Sequence, residues 1–375
     1  MNKTILITMT LISIFLLISC SKKVETCTVT EKDGIKAYRN KNIPSVEKLD
    51  FNPVLKFTLN NDSNDVHFVS YSDFDLIDID SEENIYISDI VKTRVNKYDN
   101  KGNFVKTFIQ KGLGPGEMNA IAFLAIKNDT LYLGDRENGT ISKFKTSGEF
   151  IEKFKPNGDV YQVRAVGLSR FIGFTIKYKQ VENRWLLTYE LTLLNNSFEP
   201  LKKFNKLEFF GDEMNVIDLW TYMTITEDKI FVAVNDKMFY KVNVFDHDGN
   251  LIEEINKSYS AKGYTEQEYN KISEFLIKSN QGKIQRRSMK KKRAVVGVFS
   301  DKNGNIIIQP AVDTSKGNTK GIVMDFFKDN TYLNTYIFEP DKPYLHYDFN
   351  TSIDFMGNKI YKYDSERSKL DVYEY

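Results

Sequence analysis

Short runs of alternating apolar residues, each entered through an acidic or Gly/Asn turn, recur along most of the chain. The same phrase appears at Asn84-Ile85-Tyr86-Ile87, Thr130-Leu131-Tyr132-Leu133, Lys229-Ile230-Phe231-Val232, Asn305-Ile306-Ile307-Ile308 and Lys359-Ile360-Tyr361-Lys362, with a weaker copy at Phe171-Ile172-Gly173-Phe174. The copies stand roughly 50 residues apart, room for four strands and their turns. The first unit shows all four. Leu76, Ile77 and Ile79 alternate with Asp75, Asp78 and Asp80, and Asn84 to Ser88 follows a turn. Arg94 to Tyr98 is a third strand, and Asp99-Asn100-Lys101-Gly102-Asn103 is a hairpin turn leading to Phe104, Val105, Phe108 and Ile109. A lone four-stranded sheet cannot hide both faces, so six such units must stack in a ring. The pattern predicts an all-β fold, a six-bladed β-propeller of four-stranded antiparallel blades over 49–375. Two strands lie outside the regular count: Pro53 to Leu59 before the first blade and Lys369 to Tyr375 at the end. They are expected to meet in one blade and latch the ring.

One segment breaks the rhythm, at about 262–293. Thr265-Glu266-Gln267-Glu268 is a capping box, and Tyr269, Ile272 and Leu276 share a helical face. This predicts one helical insertion, ending in the basic run Lys283, Arg286, Arg287, Lys290, Lys291, Lys292 and Arg293. Such a run is either a solvated charged face or a patch for an anionic partner: headgroups, lipopolysaccharide phosphates, an acidic glycan or a protein.

Composition narrows the classes. Lys+Arg is 52 and Asp+Glu 51, so no overall field draws nucleic acid. Aromatics at 13% supply a core. Two Cys exclude a disulfide scaffold and a Cys-based zinc site.

The first residues carry an address. Lys3 precedes an apolar stretch, Ile5 to Ile18, that as a helix would span about 21 Å, short of a roughly 30 Å hydrocarbon core. It ends Leu17-Ile18-Ser19-Cys20, which resembles the lipobox of bacterial lipoproteins. The resemblance implies a signal peptide at 1–19, lipidation of Cys20 and attachment to the membrane through that residue. Ser21-Lys22-Lys23, with no Asp after the Cys, implies transfer to the outer membrane, with the periplasmic or surface side open. The polar, aperiodic stretch 20–48 reads as a flexible tether holding the unpartnered Cys27.

Asp80 through Asn84, Asp89, Arg94 and the linker Gly112-Leu113-Gly114-Pro115-Gly116-Glu117 resemble an NHL-type propeller repeat. The second unit keeps Asp135 and Lys143-Phe144 but lacks the glycine-rich linker. Together with the lipobox, the chain is similar to the six-bladed propeller lipoproteins of Bacteroides-like bacteria. That group implies fold and location in the cell envelope more than activity.

Candidate chemistry is sparse. There is no G-x-S-x-G, HExxH or Walker loop, so no catalytic residue and no cofactor are predicted. The linker Gly112 to Glu117 either cradles an anion or turns one blade into the next. Asp89, Arg94, Asp135 and Arg136 sit at blade-edge turns and either line a ligand surface or brace the turns. Trp185, Trp220 and Tyr222 are aromatic candidates for a stacking platform. Of three His, His247 falls in a hairpin turn, leaving His67 and His346, too few for a three-His zinc site; His346 is kept as a channel candidate. Calcium in the channel, as in lactonase-like propellers, stays open, because its oxygen ligands leave no motif. The expected role is binding of a ligand or envelope protein on one face. The alternatives are a lactonase- or lyase-like hydrolase with a channel metal, and a scaffold for an envelope complex.

Overall fold

The computed structural model describes residues 25–60, 76–90, 92–158, 160–211, 221–278, 290–315, 319–344, 351–364 and 369–375. The expected signal peptide, Cys20, Trp220, His346, Lys283, Arg286 and Arg287 lie outside them.

The chain begins with a hairpin, β1 (Cys27–Lys32) and β2 (Ile35–Asn40), followed by β3 (Val54–Asn60). Blade one is β4 (Ile77–Ile79), β5 (Ile85–Asp89), β6 (Arg94–Tyr98) and β7 (Phe104–Phe108). Blade two is β8 (Ile121–Lys127), β9 (Thr130–Asp135), β10 (Thr140–Lys145) and β11 (Phe150–Phe154). Blade three is β12 (Tyr161–Val166), β13 (Arg170–Val181), β14 (Arg184–Leu194) and β15 (Pro200–Phe210). Blade four is β16 (Met223–Ile225), β17 (Lys229–Ala233), β18 (Tyr240–Asp246) and β19 (Leu251–Lys257). The helix α1 (Glu266–Lys278) precedes blade five: β20 (Val295–Ser300), β21 (Ile306–Pro310), β22 (Thr319–Lys328) and β23 (Thr331–Tyr344). Blade six is β24 (Thr351–Met356), β25 (Lys359–Asp364), β26 (Lys369–Glu374) and β3. Six sheets form, antiparallel within each blade, so the expected six-bladed propeller is what the chain adopts.

The core explains the ring. Buried apolar residues divide into six clusters, one at each blade–blade contact. Tyr86, Val95, Ile121 and Leu133 join blades one and two; Ile85, Ile87, Tyr361 and Val372 join six and one. The others join two to three, three to four, four to five and five to six. Each blade thus buries both faces only because it has two neighbours. The two ends meet as expected: β3 pairs antiparallel with β26.

The tether expected at 20–48 is corrected over its described part. The hairpin β1–β2 widens blade four's sheet to six strands, with β2 running parallel to β19. Residues 41–53 then strap across blade five, where Ser45 and Val46 donate to the Leu333 carbonyl. The sequence hides this because β1 and β2 form a sheet rim and bury little, so no apolar alternation marks them. Their keystone is polar. Asn40, buried, donates from Nδ2 to the carbonyls of Asn256 (3.1 Å) and Asn330 (3.0 Å), and its Oδ1 accepts from Tyr332 N (2.8 Å).

Strand direction gives the ring two faces. The turn face carries the first-to-second and third-to-fourth strand turns. The loop face carries the second-to-third turns, the connections between blades, and α1. Turns of the turn face repeat one motif: an Asp takes the amides two and four residues on, and its other oxygen takes the side-chain amide of Asn four residues on. Asp80, Asp99, Asp246 and Asp301 all do this.

Candidate functional site on the loop face

A cleft of about 350 Å³ opens between blades four and five. Its floor is polar and buried. The Asp325 carboxylate on β22 accepts from Lys257 Nζ at the end of β19 (2.8 Å), from the Thr335 hydroxyl (2.6 Å) and from the Tyr240 hydroxyl (3.0 Å). Lys257 Nζ also lies 3.8 Å from the centre of the Tyr332 ring. Burial lowers the Lys257 pKa, opposed by Asp325, and burial beside Asp325 pushes the Tyr240 phenol well up. The carboxylate is thus engaged by three donors and neutralised, which makes it a recognition floor rather than a free base. The walls are Asn42, the strap Ser258 to Lys262, and Pro310 to Asp313. The Tyr259 hydroxyl is buried in the wall, beside the Lys262 backbone. These groups suit a polar ligand with hydrogen-bonding edges.

The chain entering the insertion, up to Lys262, forms one wall. The expected helix is α1, and its capping box forms: Glu268 Oε2 accepts from Thr265 N (2.8 Å) and Thr265 Oγ1 accepts from Glu268 N (3.3 Å). Lys292 Nζ reaches Glu268 Oε1 (2.6 Å), the Val312 carbonyl (3.0 Å) and Thr314 Oγ1 (3.1 Å). The backbone N of Lys292 donates to the Lys262 carbonyl (2.8 Å), so the two ends of the insertion are stitched together beside the cleft. Two members of the expected basic patch are corrected here. Lys292 and Arg293 are buried, Arg293 beside the Tyr222 ring at 4.8 Å, and neither faces an anionic partner. Lys290 and Lys291 are exposed.

The central channel holds a second polar group. Asp78 on β4, Arg164 on β12 and Asp354 on β24 come from inner strands. Arg164 Nη1 lies 3.7 Å from Asp354 Oδ2, an ion pair that crosses the ring from blade three to blade six. Asp78 accepts from Ile126 N (2.7 Å) and Ile79 N (2.8 Å). Enclosure by protein raises its pKa to about 6, with Asp354 adding to the rise and the two amides and Arg164 opposing it; the residue as a whole is half-buried. Burial likewise raises Asp354, against the pull of Arg164.

The turn residues named from sequence brace the fold. Asp89, fully buried, accepts from Lys92 N and from Arg94 Nε, both at 3.0 Å. Asp135, buried, takes the amides of Asn119, Ala120, Glu137 and Asn138 and the Asn138 side chain. Burial opposes ionisation there, yet these donors hold the carboxyl below its ordinary range. Of the two readings the sequence leaves open for Asp89, Arg94 and Asp135, these contacts are those of turn braces. Arg136 is exposed on the loop face. Tyr222 packs half-buried against the blade four–five core. In the glycine-rich linker, Gly114 N donates to Glu117 Oε2 (2.8 Å), so the chain's own carboxylate occupies the place of an anion. A side chain at Gly112 would meet that oxygen at 2.0 Å. His247 lies on the turn face, its Nε2 3.1 Å from the Thr226 carbonyl.

Sequence reasoning missed Lys257, Asp325, Tyr240, Arg164 and Asp354. The one local signal was the repeated Ile77-Asp78-Ile79 and Ile353-Asp354-Phe355, an Asp between apolar residues in the inner strand of adjacent blades. Among the described residues, no group of three or more His, Cys, Asp or Glu side chains is placed to hold a metal ion. No described helix is long and apolar enough to cross a membrane.

No family model and no curated protein matches the sequence. Solved structures resemble the chain in fold. A Bacteroides fragilis protein described as exported covers 90% of this chain and 98% of its own, with a TM-score of 0.52 at 10% identity. A member of the DUF4221 family from Bacteroides vulgatus covers 86% and 97%, with a TM-score of 0.48 at 10% identity. Virginiamycin B lyase from Staphylococcus aureus covers 85% and 98%, with a TM-score of 0.43 at 10% identity. The first of these, at a TM-score of 0.52, supports the propeller fold and nothing finer.

Proposed function

We propose that the protein is a lipid-anchored propeller of the cell envelope, NHL-like in its first blades, that binds a polar ligand or partner in the cleft between blades four and five. One observation carries the reading: the Lys257–Asp325–Tyr240 floor is walled by Asn42 of the N-terminal strap and by Ser258 to Lys262, the chain entering the insertion, both additions to a regular blade, together with the blade-five loop. A cleft built by additions to a repeat fold is where function is grafted on it. A channel hydrolase or lyase has less support, because Asp78 and Asp354 already face Arg164. The acylated Cys20 and the outer-membrane address rest on the lipobox resemblance.

The test is a thermal-shift screen with soluble envelope fragments, muropeptides and oligosaccharides. A hit is expected to be abolished by Lys257→Met and by Tyr259→Ala, and unaffected by Leu168→Ser on the turn face. Hits that survive both cleft variants overturn the reading. So does a screen with no hit when the protein purified from envelopes also carries no ligand by native mass spectrometry.

A further inference from the structure

We infer that the blade-four corner of the loop face is a membrane-docking surface, at which Met238 and Phe239 enter the headgroup–acyl boundary and Lys290 and Lys291 meet anionic headgroups. The inference rests on the reading of Cys20 as the acylated residue.

Geometry supplies the occupant. The chain is fixed from Thr26 onward, since the Thr26 carbonyl accepts from Lys41 N at 2.8 Å. Only six peptide steps separate Thr26 from Cys20, which span at most about 20 Å fully extended. A 28-residue tether would have let the propeller drift and tumble; this one holds a chosen edge against the bilayer. Which edge follows from strand direction. Cys27 pairs with Asn40, Asn40 pairs with Lys257 at the end of β19, and Ser258 N donates to the Asn40 carbonyl (2.9 Å). The anchor therefore leaves from the loop face at the outer rim of blade four.

That corner carries the apolar and basic groups a lipid surface takes. The turn between β17 and β18 ends in Met238 and Phe239, which are 55% and 68% exposed. They point outward because the Asp236 carboxylate holds their amides, at 2.6 Å and 2.8 Å, and Val234 N closes the turn on the Lys241 carbonyl (3.0 Å). Ala294 N donates to the Asp236 carbonyl (2.8 Å), so the segment that carries exposed Lys290 and Lys291 runs into the same turn three residues later. Adjacent large apolar side chains on a tight turn, flanked by lysines and beside a lipid anchor, form a second membrane signal. Lipid anchors hold better with such a second signal, and basic side chains add attraction to anionic leaflets. Lys283, Arg286 and Arg287 lie outside the described residues and form no part of the site.

The test uses the full chain processed in cells and reconstituted in phosphatidylethanolamine–phosphatidylglycerol vesicles. A Cys27→Ser background carries a bimane label at Phe239→Cys or at Leu168→Cys on the opposite face, where Leu168 is 81% exposed. The label at 239 is expected to be quenched by lipid-borne nitroxide, and the one at 168 by aqueous iodide. Unacylated chain (Cys20→Ala) is expected to sediment with the same vesicles, about tenfold more weakly in Met238→Ser/Phe239→Ser and less at high salt. Mass spectrometry of the N-terminal peptide separates the two claims. If Cys20 is acylated but iodide quenches both labels equally, docking is overturned while the anchor stands. If Cys20 is unmodified, the anchor fails and sedimentation decides: no loss in the double variant sinks docking too. A dimer mass that disappears in the double variant assigns the surface to a second copy and also overturns it.

Discussion

The two faces of the ring are built by different chemistry. On the turn face, each Asp turn closes on itself within five residues, as Asp246 does with Asp248 and Asn250. The loop face has local turns too, at Asp89 and Asp135, but the contacts that build its cleft and rim join residues far apart in the chain: Lys257 with Asp325, Asn40 with Asn330, Lys292 with Glu268. Local closure makes a face that repeats and carries nothing new. Distant closure makes a face on which an insertion, a strap and a cleft can be set without disturbing the strands beneath.

The largest expected effect removes the frame common to both. Ending the chain at Asp364 deletes β26, leaving β25 and β3 with open edges and two blade interfaces without a cover. Circular dichroism should then show no cooperative melt. A melting temperature within a few degrees of the full chain would mean that the ring closes without its latch, and the contrast between faces would lose its basis.

Next comes Lys292→Met, which leaves Glu268 buried without its cation. Loss of one partner of such a pair costs roughly 3 kcal/mol or more. The cost should fall on one face. Hydrogen exchange should speed up in α1 and at 311–315 while β5 and β9 keep their protection. Uniform loss of protection would show that the insertion is part of the core rather than an addition to it.

Arg164→Met probes the channel between the faces. It removes the cation opposing two carboxyls whose pKa values are already raised. A raised carboxyl favours the folded state while protonated, and that advantage is lost as pH climbs through the folded pKa, about 6 for Asp78 in the parent chain and higher in the variant. Destabilisation should therefore be larger at pH 8 than at pH 5. A pH-independent loss in urea titrations would assign Arg164 to packing instead.

The sequence displays what repeats and conceals what is unique. Apolar alternation marks the second strand of each blade, Asp-x-x-Gly-Asn marks the turn face, and Thr265 with Glu268 marks the helix start, because each is a pattern within a few residues. The hairpin β1–β2 buries too little to show a period, and its keystone is an Asn. The cleft floor joins β19 to β22, and the channel pair joins β12 to β24, so no window along the chain contains both partners. Lys292 misleads in the other direction: inside a basic run it looks like one more solvated charge, yet it and Arg293 face inward.

The smallest effect belongs to a single turn. Asp246→Ala removes an acceptor for two amides and for the Asn250 side chain. The turn is largely solvated, so water replaces much of what is lost and the cost at neutral pH should be about 1 kcal/mol. Its pH dependence carries the sharper information. Burial works against the charge, but the Asn250 side chain and the amides hold the Asp246 carboxyl below its ordinary 3.8, and Asp80 and Asp99 are held down in the same way. A depressed carboxyl stabilises the fold above its unfolded pKa, and that contribution fades as pH falls through the folded value. The parent chain should therefore lose stability below about pH 4, and the gap to Asp246→Ala should narrow there. Turn-face protons should exchange faster first, because Asp99 and Asp246 close solvated turns, whereas Asp135, a carboxyl held down in the same way on the loop face, is buried. If acid instead opens α1 before any Asp turn, the loop face is the weaker of the two, and self-contained turns are what hold this ring at low pH.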